Sequence, residues 1–131
     1  MIAFEQLIAR YPRADAPTVD GVSVVAADGV LTAIVGPNGS GKSTLVRALL
    51  GRVPVVSGTI RLGRQATSSL SRREIARQVA VVVQREEPVF PMRVRDYIAL
   101  GKYPAIGAGS RAPDLDAAID AAAQSGGVDA L

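Results

Sequence analysis

The feature that most constrains this chain is the run GPNGSGKST at residues 36–44. It fits the phosphate-binding loop pattern G-x-x-x-x-G-K-[S/T], with Gly36, Gly41, Lys42 and Ser43 at the fixed positions. Glycines let the backbone turn sharply and bring its N–H groups close to an anion, and the lysine adds a point charge for the terminal phosphates. The serine hydroxyl is placed to ligate Mg²⁺, and a helix that begins here points its positive end at the same phosphates.

The residues on either side of this loop predict a strand before it and a helix after it. Residues 30–35 are a short, mostly apolar and β-branched run, which is typical of a buried parallel strand. Residues 43–50 predict a helix that Gly51 ends. The apolar face of this helix is formed by Leu45, Leu49 and either Ala48 or Val46. This order of elements favours a real phosphate site over a glycine-rich turn that happens to contain a lysine.

The overall composition indicates one cytoplasmic domain. The 131 residues are enough for one hydrophobic core and too few for two, and 48% hydrophobic residues is ordinary for a globular protein. No apolar run approaches the ~20 residues of a membrane span, and the first residues lack the basic-then-apolar order of a signal peptide. The lack of cysteine and histidine excludes disulfides, cysteine-based metal sites and His–Ser or His–Cys catalysis within this chain.

The charge balance gives little reason to expect a nucleic-acid partner. Fifteen basic residues against twelve acidic ones leave a formal charge of only +3. Three tyrosines, two phenylalanines and no tryptophan are too few for a base-stacking platform. We therefore expect a mildly basic, solvated surface and no nucleic acid bound to it.

Patterning along the rest of the chain predicts further strands and helices. Ser71 with Glu74 three positions later is a capping box that begins a helix ending near Gln78. Other helices are predicted at 94–100 and 114–124, the second closed by residues 125–127. Strands are predicted at 2–11, 19–25, 57–63 (a short edge strand) and 79–83 (a fully apolar strand). Loops are predicted at 12–17, 85–92 and 103–113.

The order of these motifs resembles the ATPase subunits of ABC transporters. The loop is written GPNGSGKSTL, a Ser-Gly-Thr-Ile strand follows it, and a valine-rich strand then closes on Gln84. Tyr11 stands where the family has an aromatic, roughly 25 residues before the loop, and the match covers essentially all 131 residues. The resemblance implies an α/β fold of the P-loop NTPase, ABC ATPase type. It implies a β-rich N-terminal subdomain, a parallel-sheet core, and the start of a helical subdomain from about residue 88.

The resemblance also assigns roles to individual residues. It implies that Tyr11 stacks on adenine, and that Lys42 neutralises the β and γ phosphate oxygens. Ser43 and Gln84 would hold Mg²⁺, and Gln84 would also touch the attacking water, so that Lys42 and Gln84 are the catalytic candidates. The implied phosphate contacts are Gly36, Pro37, Asn38, Gly39, Ser40, Gly41, Lys42, Ser43 and Thr44. ATP and Mg²⁺ are the cofactors that these roles require.

One branch of the family looks nearer than the others. Residues 88–104 are similar to the FP-x-TV-x-E-x-V-x-x-GR-x-P stretch of importers for iron–siderophore complexes, haem and cobalamin. This resemblance implies transmembrane permease subunits and a second ATPase subunit as partners. It also implies a peripheral position on the inner face of the cell membrane.

Three motifs that the family uses for hydrolysis do not occur in this sequence. There is no Leu-Ser-Gly-Gly-Gln-like signature, no strand ending in Asp-Glu and no switch histidine; Ser125-Gly126-Gly127 lacks the flanking residues of the signature. We therefore expect the first half of an ABC ATPase, as a fragment or a truncated gene, with apolar surface exposed at 30–35 and 79–83. A module that binds nucleotide without turnover is the alternative. A kinase or GTPase would need an acceptor-site base or an Asn-Lys-x-Asp motif, and neither appears.

Overall fold

A computed structural model of the chain describes residues 1–84, 90–105 and 112–128. The chain divides into two compact units, Met1–Val79 and Ala80–Leu131, which are described separately. The predictions for residues 85–89 and 106–111 lie outside the described residues.

The first unit is built on a four-stranded antiparallel sheet. Its strands are β1 (Ile2–Ala9), β2 (Val19–Ala26), β3 (Val55–Leu62) and β4 (Gln65–Ala66), in the order β2-β1-β3-β4. β1 is a central strand, and Phe4 has Val24 of β2 and Ile60 of β3 as its two neighbours. β2 alternates as predicted, with Val22 and Val24 turned towards the core.

The third strand differs from the prediction in both length and position. It begins at Val55 rather than at residue 57, and it lies between β1 and β4 rather than at the sheet edge. The pairing is interrupted by a bulge near Gln6, which itself has a φ of +47°. Gly58 lies against that bulge, and a Cβ on Gly58 would be 2.3 Å from the Gln6 carbonyl oxygen. Because the strand needs glycine there, Gly58 permits the pairing instead of ending it.

Helix α1 (Lys42–Leu49) packs on this sheet and forms the core with it. Leu45, Ala48 and Leu49 are buried, whereas Val46 is exposed, which settles the predicted helix face. They join a cluster that includes Leu7, which has no exposed surface. Beyond α1, the amides of Gly51 and Arg52 donate to the carbonyls of Ala48 and Arg47, so Gly51 ends the helix as predicted.

Helix α2 (Arg72–Gln78) follows a 3₁₀ turn at Thr67–Ser69, and it confirms the predicted capping box. The Ser71 amide donates to the Glu74 carboxylate at 2.8 Å, and the Glu74 amide donates to the Ser71 hydroxyl at 3.3 Å. Ile75 is the buried residue by which this short helix joins the core.

The two predicted buried parallel strands are not present. Residues 30–35 and 79–83 have no strand conformation, and Leu31 and Val82 are 96% and 98% exposed. A strand is stable only when a neighbour accepts and donates its backbone hydrogen bonds. Within the described residues no strand pairs with either segment, so the apolar composition alone does not produce one. The exposure of apolar side chains in both segments was expected from the sequence.

The second unit contains two described helices, α3 (Val94–Leu100) and α4 (Ala112–Ser125). α3 has the predicted bounds, and α4 begins two residues before the predicted start. Arg95 of α3 donates to the carboxylates of Asp116 and Asp120 on α4, at 2.9 Å to Asp116, and these bonds raise the pKa of Arg95. Among the α4 side chains that the structure describes, from residue 115 on, Ile119 is the buried one.

Candidate functional site

The phosphate-binding loop lies between the exposed segment 30–35 and the first turn of α1. Residues 36–40 are exposed, and a turn is closed by the Ser40 amide donating to the Pro37 carbonyl at 3.3 Å. Gly41, the last residue of the loop before α1 begins, is buried. The loop is therefore open to solvent along its first five residues and fixed to the protein at its end.

Gly41 fixes that end because only glycine fits there. Its φ of +91° belongs to the left-handed region, and a Cβ would lie 2.7 Å from the Thr18 carbonyl oxygen and 3.2 Å from Val19 Cγ2. The loop thus ends in direct contact with the start of β2. This close approach explains why this chain has a glycine at position 41, immediately before Lys42.

The first turn of α1 presents backbone donors that have no protein acceptor. In the part of the chain that the structure describes, the amides of Gly39, Gly41, Lys42 and Ser43 donate no hydrogen bond. The next two amides, of Thr44 and Leu45, already bond to the Gly41 carbonyl at 2.9 and 3.0 Å. The free amides therefore lie at the positive end of the helix dipole, which suits an anion with several oxygens.

Lys42 lies folded over the loop. Its ammonium donates to the carbonyl oxygens of Gly36 and Pro37 at 2.8 and 2.6 Å, with Ser40 Oγ at 3.4 Å. The sequence assigned this charge to the phosphates of a ligand. In the structure it links both ends of the loop and places one positive charge among its exposed residues.

Ser43 and Thr44 are neighbours with opposite surroundings. Ser43 is exposed, and its hydroxyl has no hydrogen bond to the described residues, so it is accessible to a ligand or an ion. Thr44 is only 5% exposed, and its side chain lowers the pKa of the neighbouring Tyr11 phenol. The structure therefore leaves Ser43 available for the predicted metal contact and turns Thr44 towards the protein.

Tyr11 reaches the same helix from the end of β1. Its ring packs against the core cluster and is half-buried, and its hydroxyl accepts a hydrogen bond from Arg47 Nη1 at 2.8 Å. The hydrogen bond from Arg47, and after it the nearby Thr44 side chain, lower the pKa of Tyr11 below its ordinary value of 10.0. Sequence reasoning missed Arg47. Its spacing from Thr44 places both on one helix face, but no local signal places Tyr11 beside that face.

The first unit thus brings together the loop, the first two turns of α1 and Tyr11. Gln84 belongs to the second unit, where it is exposed at the end of the apolar segment. Among the described residues no group of three or more acidic, histidine or cysteine side chains is arranged to hold a metal ion. None of the described helices is both long enough and apolar enough to cross a membrane.

Comparison with known proteins identifies the family. The sequence profile described as ABC transporter matches residues 19–129. The chain belongs to the ABC transporter family. The resemblance stated from the motifs is therefore confirmed, and so is the ABC-type fold class.

Individual relatives agree with this family. The chain is 42% identical over 99 residues to the hemin import ATP-binding protein HmuV of Rhodopseudomonas palustris, covering 76% of this chain and 38% of that protein. It is 40% identical over 103 residues to the protein of the same name from Streptomyces coelicolor, covering 79% and 36%. It is 37% identical over 108 residues to the manganese transport system ATP-binding protein MntB of Listeria monocytogenes, covering 81% and 39%. The chain thus spans less than two fifths of the length of each of these ABC proteins.

Proposed function

We propose that this chain binds Mg·ATP as part of the ATP-binding subunit of an ABC importer. The observation that carries the proposal is the set of backbone amides of Gly39, Gly41, Lys42 and Ser43, which donate no hydrogen bond to the described residues and lie at the positive end of α1. A triphosphate offers several charged acceptors in a row, and backbone donors in this arrangement are suited to them. The family membership supports a nucleotide as the source of the triphosphate.

Each predicted residue receives a role in this proposal. Lys42 exchanges its bonds to the loop carbonyls for bonds to the β and γ oxygens, and Tyr11 stacks on the adenine. The exposed Ser43 hydroxyl, together with Gln84, holds Mg²⁺, which when bound neutralises charge on the β and γ phosphates. The residues proposed to line the phosphates remain Gly36, Pro37, Asn38, Gly39, Ser40, Gly41, Lys42, Ser43 and Thr44.

The proposal for the complete protein goes further. ATP hydrolysis would drive import, of haem, an iron–siderophore complex or cobalamin. The names of the hemin import relatives support haem, whereas the name of the manganese transport relative supports a metal ion instead. The proposed partners are transmembrane permease subunits and a second ATPase subunit. The proposed location is the cytoplasmic face of the membrane, and the helical subdomain would begin near residue 88.

Binding without turnover is the second candidate for this chain. It is favoured by the sequence, which contains no histidine and no Asp-Glu pair to activate water. Phosphate release separates the two candidates. If the chain binds Mg·ATP and releases no phosphate over many minutes, it binds nucleotide without turnover. Steady phosphate release that depends on Lys42 supports ATP hydrolysis instead.

Calorimetric titration of the chain with Mg·ATP tests the proposal itself. Because Lys42 would make charge-assisted bonds to phosphate, Lys42→Ala should weaken binding by about tenfold or more. Lys102→Ala is the matched control, since it removes the other lysine of the sequence, which lies in the second unit. Equal affinities for the parent and Lys42→Ala, or no binding by the parent, would refute the assignment.

A further inference from the structure

The hydroxyl group of Tyr11 is held by the helix that follows the phosphate-binding loop. Arg47 Nη1 donates to it at 2.8 Å. Thr44 lies one turn earlier on the same face of α1 and directly follows Ser43; it is buried, and it lowers the pKa of Tyr11. The phenol is therefore tied to the helix whose first amides face the proposed phosphates.

The ring of Tyr11 is constrained at two places. One part packs against the core cluster, and the hydroxyl end is held by the hydrogen bond from Arg47. A ring held at both places has a fixed plane, which lowers the entropy that must be lost when a flat base stacks on it. The backbone of Tyr11 lies in a turn just after β1, which is closed by the Ala14 amide donating to the Tyr11 carbonyl at 3.0 Å.

We propose that Arg47 is a positioning residue for nucleotide binding, which fixes the Tyr11 ring for the base through the bond between its guanidinium and the phenol. The inference rests on the proposed binding of ATP. It adds that the same helix, α1, holds the ring proposed to stack on the base, through Arg47, and carries the groups proposed to bind the phosphates. Arg47 itself touches neither the phosphates nor the base.

The test compares two triphosphate ligands, one with a nucleoside and one without. Mg·ATP and inorganic tripolyphosphate with Mg²⁺ are titrated into the parent chain, Tyr11→Phe, Arg47→Met and the double variant. Tyr11→Phe keeps the ring and the net charge but removes the hydroxyl. We expect Tyr11→Phe and Arg47→Met each to lower the ratio of ATP affinity to tripolyphosphate affinity about two- to tenfold, the loss of about one hydrogen bond.

The double variant should lower that ratio no further than either single variant, because both remove the same contact. Arg47→Lys keeps a donor and should restore part of the ratio. Arg64→Met is the charge-matched control, since Arg64 is exposed on the loop between β3 and β4. A general loss of positive charge weakens both ligands alike and leaves the ratio unchanged, so the ratio isolates the positioning of the ring.

The contact can also be tested without any ligand. The difference in ultraviolet absorbance between the parent and Tyr11→Phe, followed against pH, gives the titration of Tyr11. Arg47→Met should raise the pKa of Tyr11 towards its ordinary value of 10.0. An unchanged pKa, or an unchanged affinity ratio, overturns the inference while leaving ATP binding intact. A parent chain that binds neither ligand overturns the proposed function and this inference together.

Discussion

Replacing Gly41 with alanine tests whether the close contact between the loop end and β2 is as tight as the structure shows. An L-residue in the left-handed region costs about 1–2 kcal/mol. The new Cβ would also lie 2.7 Å from the Thr18 carbonyl oxygen, and because that neighbour is backbone, the loop end or the strand must move. Such overpacking costs about 1–3 kcal/mol more. We therefore expect Gly41→Ala to lower the free energy of unfolding by about 2–5 kcal/mol.

Two other glycines separate the clash from the backbone strain. Gly39 and Gly29 have φ values of +84° and +69°, and a Cβ at either one would meet nothing within 4 Å. Gly39→Ala and Gly29→Ala should therefore each cost only the conformational term of about 1–2 kcal/mol. Gly29 lies in the turn after β2, outside the loop, so its alanine variant should leave binding of Mg·ATP unchanged.

The assay is urea unfolding followed by far-ultraviolet circular dichroism, with calorimetric titration of Mg·ATP on the same samples. Movement of Gly41 displaces its own amide and that of Lys42, so its alanine variant should also bind Mg·ATP at least tenfold more weakly, about the loss of one hydrogen bond to a charged group. If Gly41→Ala destabilises the chain no more than Gly39→Ala does, the contact with Thr18 is not tight, and the reasoning is refuted.

Two further predictions concern stability. Leu7→Ala removes a side chain with no exposed surface and should lower the free energy of unfolding by about 2–5 kcal/mol in the same assay. Leu31→Ala, at a residue that is 96% exposed, should change it by less than about 0.5 kcal/mol, and equal effects of the two variants would contradict the core described above. Ser71→Ala removes the N-cap of α2 and should cost about 1 kcal/mol. Because bonds from the Ser71 hydroxyl and amide lower the pKa of Glu74 below 4.5, the stabilisation from its carboxylate is present above pH 4.5 and is lost as the pH falls through the lower folded-state value. The difference between the parent and Ser71→Ala should therefore shrink in acid, and a difference that grows in acid would show that the carboxylate does not act through this cap.

The sequence predicted the helices well because their signals are local. The capping box at Ser71 and Glu74 predicted both ends of α2, since the two residues satisfy each other's backbone and side-chain groups within one turn. Gly51 predicted the end of α1 for the same reason. The identity of the phosphate-binding loop was equally local, because the spacing of its glycines and lysine is contained in nine residues.

The strands were predicted less well because a strand depends on partners elsewhere in the chain. Residues 30–35 have the composition of a buried strand, yet no described strand pairs with them. At Gly58 the error is the opposite one, because the strand there is longer and more central than predicted. The sequence predicted a short edge strand beginning at residue 57, whereas Gly58 lies inside the longer, internal β3, where the bulge at Gln6 requires a glycine. Neither result could be read from the composition of the segment itself.

The tertiary contacts of the site were also beyond local signals. Tyr11 and Arg47 are 36 positions apart, and their hydrogen bond exists only because β1 and α1 pack on the same core. In the same way, the contact between Gly41 and Thr18 requires the start of β2 to lie beside the loop. The sequence predicted which residues belong to the site, and the packing determines which residues hold them.

The protein fixes the helix side of the loop but not the side of residues 30–35. Lys42 therefore has two functions, joining these two sides and, as proposed, binding phosphate. On the helix side the loop is fixed by the packing of α1 and by Gly41 against β2, whereas the side of residues 30–35 is exposed. Lys42 is the residue that bridges the two, through its bonds to the carbonyls of Gly36 and Pro37. If it turns to the proposed phosphates, it exchanges those bonds instead of adding new ones, so its net contribution to affinity is smaller than its gross bonds suggest. The loop carbonyls it releases are then left to water, which is possible because residues 36–40 are exposed.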